Sequence, residues 1–129
     1  MREIKFRAWD RNNKKMLHNF LVSSNGDAFI IRDPMLPTGD DFGFTGMIPC
    51  IDSVNLMQFT GLHDKNGREL CESDIIYHTA YKQKYKIEFI PDAGGYVVKS
   101  ENHTCPLTAM CQQYLEIIGN LYENPELLK

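Results

Sequence analysis

Long hydrophobic runs are missing from this chain of 129 residues. No stretch approaches the ~20 apolar residues that a bilayer-spanning helix needs. The opening M-R-E-I-K-F-R-A-W-D places charges where a secretory signal would carry its apolar segment. The expected location is therefore the cytoplasm, with no membrane partner. A surplus of positive charge is missing as well, since 14 Lys and Arg stand against 17 Asp and Glu. Dedicated nucleic-acid-binding domains are usually basic, so only a local patch is left for that role. Cysteine is sparse: Cys50, Cys71, Cys105 and Cys111 form no C-x-x-C and match no zinc-site spacing. They read as reduced, mostly buried small apolar residues. The G-x-S-x-G elbow of a serine nucleophile is absent. So are both glycine-rich phosphate loops, G-x-x-x-x-G-K-[ST] and G-x-G-x-x-G. These absences lead to the expectation of no metal, no cofactor and no catalytic residues.

What is present is an ordinary globular composition, 43% apolar and 24% charged. A chain of this length buries roughly two thirds of the surface that its unfolded form exposes, so it needs no staple. Its apolar residues alternate in short segments separated by turn residues, which is the pattern of an all-β fold. Ile4, Phe6 and Ala8 fall on one face of a first strand, with Lys5, Arg7 and Trp9 on the other. The polar run Asp10 to Lys15 turns the chain into a return strand at Met16 and Leu17. Asn25-Gly26 between Phe20–Val22 and Phe29–Ile31 predicts a hairpin, because its turn type needs positive φ at both central residues. Asp33 to Gly46, rich in Pro and Gly, reads as a long surface loop.

Further strands are expected over Val54 to Thr60, over Leu70 to His78 and over Tyr81 to Ile90. In the last of these, Tyr81, Tyr85, Ile87 and Phe89 face inward, while Lys82, Lys84, Lys86 and Glu88 face outward. Tyr96 to Ser100 returns as its partner, and Leu115 to Tyr122 is the final strand. A helical turn is expected over Thr104 to Met110, and a second from Asn124-Pro125-Glu126, with Asn as cap and Pro in the first position. The architecture that follows is mainly β. Residues 1–55 form an N-terminal antiparallel β portion and residues 56–129 an SH3-like barrel, as two subdomains or as one continuous domain, and a short helical turn ends the chain.

Three phrases carry a likeness to known proteins: I-K-F-R-A-W-D at Ile4 to Asp10, M-Q-F-T-G-L-H-D-K-N-G-R-E-L-C-E-S-D-I-I at Met57 to Ile76, and E-I-I-G-N-L-Y-E-N-P-E-L-L at Glu116 to Leu128. With these, the chain resembles the YopX family of bacteriophage and prophage proteins over nearly its whole length. The resemblance implies a mainly β fold and a phage or prophage origin inside a bacterial host. It implies no established enzymatic activity. Two positions depart from the family pattern: Cys71 stands where an aromatic is common, and Ser73 where a glycine is common. Ser73 then either sits at negative φ or holds positive φ at some cost.

Three sets of residues could carry function. The first is basic: Lys5, Arg7 and Trp9 on one strand face, and Lys82, Lys84 and Lys86 on another. Such faces can neutralise phosphates and stack a base, but outward lysines also protect strands from edge pairing. The second is a cluster of His63, Asp64, Glu69, Glu72, Asp74 and His78. On an extended strand, Asp74 and His78 would lie about 13 Å apart, too far to share one metal. Turn chemistry and solvated strand ends are the reading there. The third is the tail at Leu127 and Leu128, which docks on its own core or on a second copy of the chain. The favoured function is a non-enzymatic phage accessory protein that binds a host or phage protein. A nucleic-acid-associated module is the alternative, and an enzyme is the least favoured.

Overall fold

The computed structural model describes residues 3–18, 20–22, 24, 28–31, 47–49 and 54–128. The chain is mainly β and divides into two compact units, Arg7–Leu56 on the one hand and Met1–Phe6 with Met57–Lys129 on the other.

In the Arg7–Leu56 unit, strand β1 (Phe6–Asp10) pairs antiparallel with β2 (Lys15–Leu17), Trp9 opposite Met16. The Asp10 carboxylate closes the turn between them, accepting from the backbone N–H of Asn12 and Asn13 and from the Asn13 side chain. The left-handed residue of this turn is Lys14 (φ 53°). β3 (Phe20–Val22) pairs with β4 (Ala28–Ile31), and β4 with β5 (Met47–Pro49), in a three-stranded antiparallel sheet. The predicted hairpin strands are therefore present. The Asn25-Gly26 turn and the Asp33–Gly46 loop lie outside the described residues, as does Cys50.

In the second unit, β6 (Val54–His63) pairs with β7 (Glu69–Cys71) across a bulge. Gly61, at φ +91°, sits within that bulge, in geometry that glycine adopts freely. A five-stranded antiparallel sheet follows, in the order β11-β10-β9-β8-β12 and curled as a half-barrel. Its strands are β8 (Asp74–His78), β9 (Gln83–Ile90), β10 (Gly95–Lys99), β11 (Thr104–Pro106) and β12 (Leu115–Asn120). The concave side buries Leu70, Ile76, Tyr85, Ile87, Val98 and Leu115, with Leu62, Tyr96 and Cys111 packed against them. Each such side chain stabilises the fold by roughly 1.5–3 kcal/mol through burial.

Several expectations need correction. Leu70 to His78 is two strands, because Glu72 and Ser73 make a tight turn between β7 and β8. Ser73 does hold the left-handed conformation, at φ 68°. Backbone bonds from Ser73 N–H to the Ile87 carbonyl and from Leu121 N–H to the Ser73 carbonyl fix it there. Tyr81 lies in the turn before β9 and is 64% exposed, and Phe89 is exposed too. The residues Thr104 to Pro106 are a strand, not a helical turn. The helical segment starts later, as a 3-10 helix over Ala109–Tyr114 behind Thr108. Thr104 and Pro106 mimic a cap and a first-turn proline, but both are equally at home on a short edge strand. The C-terminal turn is a 3-10 helix over Pro125–Leu128, as Asn124-Pro125 suggested.

Candidate functional site

The basic residues are placed separately. Lys5 Nζ lies 3.1 Å from Glu3 and 3.0 Å from Glu69. The hydrogen bonds it donates, to Glu69 first and Glu3 second, raise its pKa. Lys5 is thus matched by carboxylates, although it stays in the solvent. Arg7 and Trp9 are half-buried on β1, and both make further contacts. Lys82 is in the left-handed turn before β9 (φ 54°), off the strand. With the exposed Lys84, it borders a shallow depression shared with Ser100 and Glu101. Lys86 is half-buried and leans toward Glu88, 3.9 Å away.

The histidine and carboxylate cluster has no common centre. Asp64 is buried and works as a tie. One oxygen accepts from the N–H of Asn66 and Arg68 (2.9 Å each), and the other from Ile117 N–H on β12 (3.1 Å). Burial pushes its pKa up, but those N–H groups and the Arg68 guanidinium outweigh it, and the net shift is downward. Asp74 accepts from Cys71 N–H at 2.8 Å, and it and His78 are buried, not the solvated strand ends expected. Glu72 accepts from Gln58 N–H, and burial raises its pKa. Glu69 meets Lys5, and His63 packs edge-on against Phe59. Among the described residues, no three His, Cys, Asp or Glu side chains are arranged to hold a metal ion.

His78, the last of the cluster, belongs to a different place. Its buried ring stacks with Tyr81 (centroids 4.2 Å apart, planes 17°) and with Tyr114 (5.5 Å, 16°). Its Nδ1 accepts from Tyr81 N–H at 3.1 Å. Burial lowers the pKa of this ring, against a smaller upward effect of a backbone hydrogen bond. These rings wall an open groove of ≈ 390 Å³ that also takes in Ala80, Thr108, Met110 and Gln113. Not one formally charged side chain lines it. Behind His78, Tyr81 and Cys111 lies a smaller cavity of ≈ 110 Å³, bounded by Tyr85, Val98, Cys105 and Leu115.

Beside that cavity, His103 Nε2 stands 2.6 Å from Cys105 Sγ. His103 directly precedes β11, and Cys105 is that strand's middle residue. Neither this contact nor the groove stood out in the sequence. The signals were H-T-C at His103 to Cys105, and the tyrosines at 81 and 114. The latter gain meaning only because β8 and β12 are neighbours, with Leu115 opposite His78.

The long central phrase is tied to the C-terminal phrase and to the residues just before it. Lys65 N–H bonds to the Leu115 carbonyl, the Arg68 guanidinium to the Ile117 carbonyl, and His63 N–H to the Gln112 side chain. Further along, Asp74 pairs with Asn120. No described helix is long and apolar enough to cross a membrane.

Comparison with solved structures finds the same fold. Protein EF1440 from Enterococcus faecalis matches with a TM-score of 0.62 and 29% identity, covering 100% of both chains. Protein YopX from Bacillus subtilis matches with a TM-score of 0.58 and 20% identity, covering 100% of this chain and 98% of the other. No curated protein matches the sequence. The family model described as YopX protein matches residues 5–129. Because that match takes in nearly the whole chain, both tied segments included, the chain belongs to the YopX protein family.

Proposed function

We infer that this chain is a non-enzymatic binding protein of phage or prophage origin, and that it engages a protein partner through the groove at His78. One observation carries the reading. Tyr81 (64% exposed), Met110 (84%) and Tyr114 (40%) are large apolar side chains left in water, and all three border the same uncharged groove. Tyrosine and methionine are enriched at the centres of protein interfaces, where charge is depleted. Methionine also adapts its shape to varied apolar partners. A phosphate backbone would find no cation there. The occupant that fits is an uncharged, apolar segment of another protein.

Affinity capture from lysogenic or infected cells, with and without nuclease, tests this against M110D. A stoichiometric protein that resists nuclease and is lost from M110D is the expected result. Recovery that depends on nucleic acid, and that is lost instead from a K82E/K84E/K86E variant, would favour the basic faces.

A further inference from the structure

Three described cysteines, Cys71, Cys105 and Cys111, occupy three different chemical settings. Cys71 is buried in the core. Cys111 is held by its own helix start: its Sγ donates to the Thr108 carbonyl (2.9 Å) and accepts from Thr108 N–H (3.3 Å). Its proton is thus committed to a backbone oxygen. Cys105 meets an imidazole, that of the exposed His103, and it is half-buried at the wall of the ≈ 110 Å³ cavity. A thiol reacts as its thiolate, and a neighbouring imidazole that takes the proton is the usual means of forming one. The cavity has room for a molecule of a few heavy atoms, given a share of about 30 Å³ per liquid water. Val98 and Leu115 make its walls apolar, which suits a small uncharged reagent.

We propose that Cys105 and His103 form a thiol modification site for small uncharged electrophiles, with hydrogen peroxide the leading class. In the step, Cys105 sulfur attacks one peroxide oxygen. An S–O bond forms and the O–O bond breaks. The thiol proton passes to His103 Nε2 and then to the departing hydroxide. Sulfur is oxidised to the sulfenic acid, and peroxide is reduced to water. Modification would place a polar group behind His78, next to the groove.

Site-resolved mass spectrometry of the full chain, pulsed with iodoacetamide or with peroxide plus a sulfenic-acid trap, tests the assignment. Cys105 should label about tenfold faster than Cys111 and Cys71. His103 is exposed, so H103Q is expected to keep the fold. That variant should slow Cys105 by about tenfold while leaving Cys111 unchanged. Added imidazole should restore part of the rate in H103A. Equal labelling of the three thiols, or a Cys105 rate that H103Q does not alter, would overturn the proposal.

Discussion

Three backbone N–H groups from two separate strand systems converge on the carboxylate of Asp64. Asparagine at this position keeps the size but turns a donor toward either Ile117 N–H or the pair from Asn66 and Arg68. At least one buried N–H then faces an N–H. We expect D64N to lose about 2–4 kcal/mol in urea unfolding; a loss below about 1 kcal/mol would show that the tie is dispensable. Ser73 makes the opposite case. Its φ of 68° strains any residue with a Cβ, while its backbone bonds to Ile87 and Leu121 prevent relaxation. S73G should therefore raise stability by about 0.5–1 kcal/mol, the steric relief exceeding glycine's greater entropy in the unfolded chain. Thermal unfolding of the two proteins side by side reads this directly.

At the scale of elements, the close of β12 depends on how near the following turn approaches. A Cβ on Gly119 would stand 2.6 Å from Asn124 Oδ1 and 2.9 Å from Leu127 Cδ1. Asn124 must hold its place, because Oδ1 accepts from Asn120 N–H (3.3 Å) while Asn120 itself accepts from Tyr122 and Glu123. G119A should thus lose about 1–2 kcal/mol and loosen the last turn. Hydrogen exchange should show it as faster exchange at Asn120 and Leu127, and unchanged protection there would refute the close approach. This scale also decides what was legible in the sequence. Alternation identified Tyr85 and Ile87 as core, since that signal is local. The break at Glu72–Ser73 was hidden because the apolar run Leu70, Cys71, Ile75 and Ile76 reads straight through a turn that carries no glycine. The groove was hidden for another reason: His78, Tyr81, Met110 and Tyr114 meet only once β8 and β12 pair. Lys82 lost its strand position because the turn at Thr79–Lys82, tied by Lys82 N–H to the His78 carbonyl, takes up the first residues of the expected strand.

For the molecule as a whole, acid should act in two stages, and the first belongs to His78. Its ring must be neutral to accept at Nδ1 from Tyr81 N–H, and it is enclosed by Tyr81, Tyr114 and Tyr85 with no carboxylate among these ring contacts. Burial accordingly lowers its pKa below the ordinary value. In the unfolded chain the ring titrates near about 6.5. From there down to its folded pKa, the unfolded state binds more protons, so the stability present above that pH drains away as pH falls. The second stage belongs to carboxylates with lowered pKa, Asp64 and Asp10, whose contribution is lost only as pH drops below the ordinary aspartate value. Urea midpoints measured from pH 8 to pH 3 should show a decline beginning near neutrality and a further one below about pH 4. H78Q should flatten the first decline, even if its stability at pH 8 is lower, and leave the second in place. Tyr81 and Tyr114 stack on this ring, so the groove should open along with the first stage. Binding of an apolar fluorescent dye such as ANS should therefore change between pH 7 and pH 5.5 in the native chain and stay level in H78Q. A dye signal that is flat in both would separate the groove from the titration of His78.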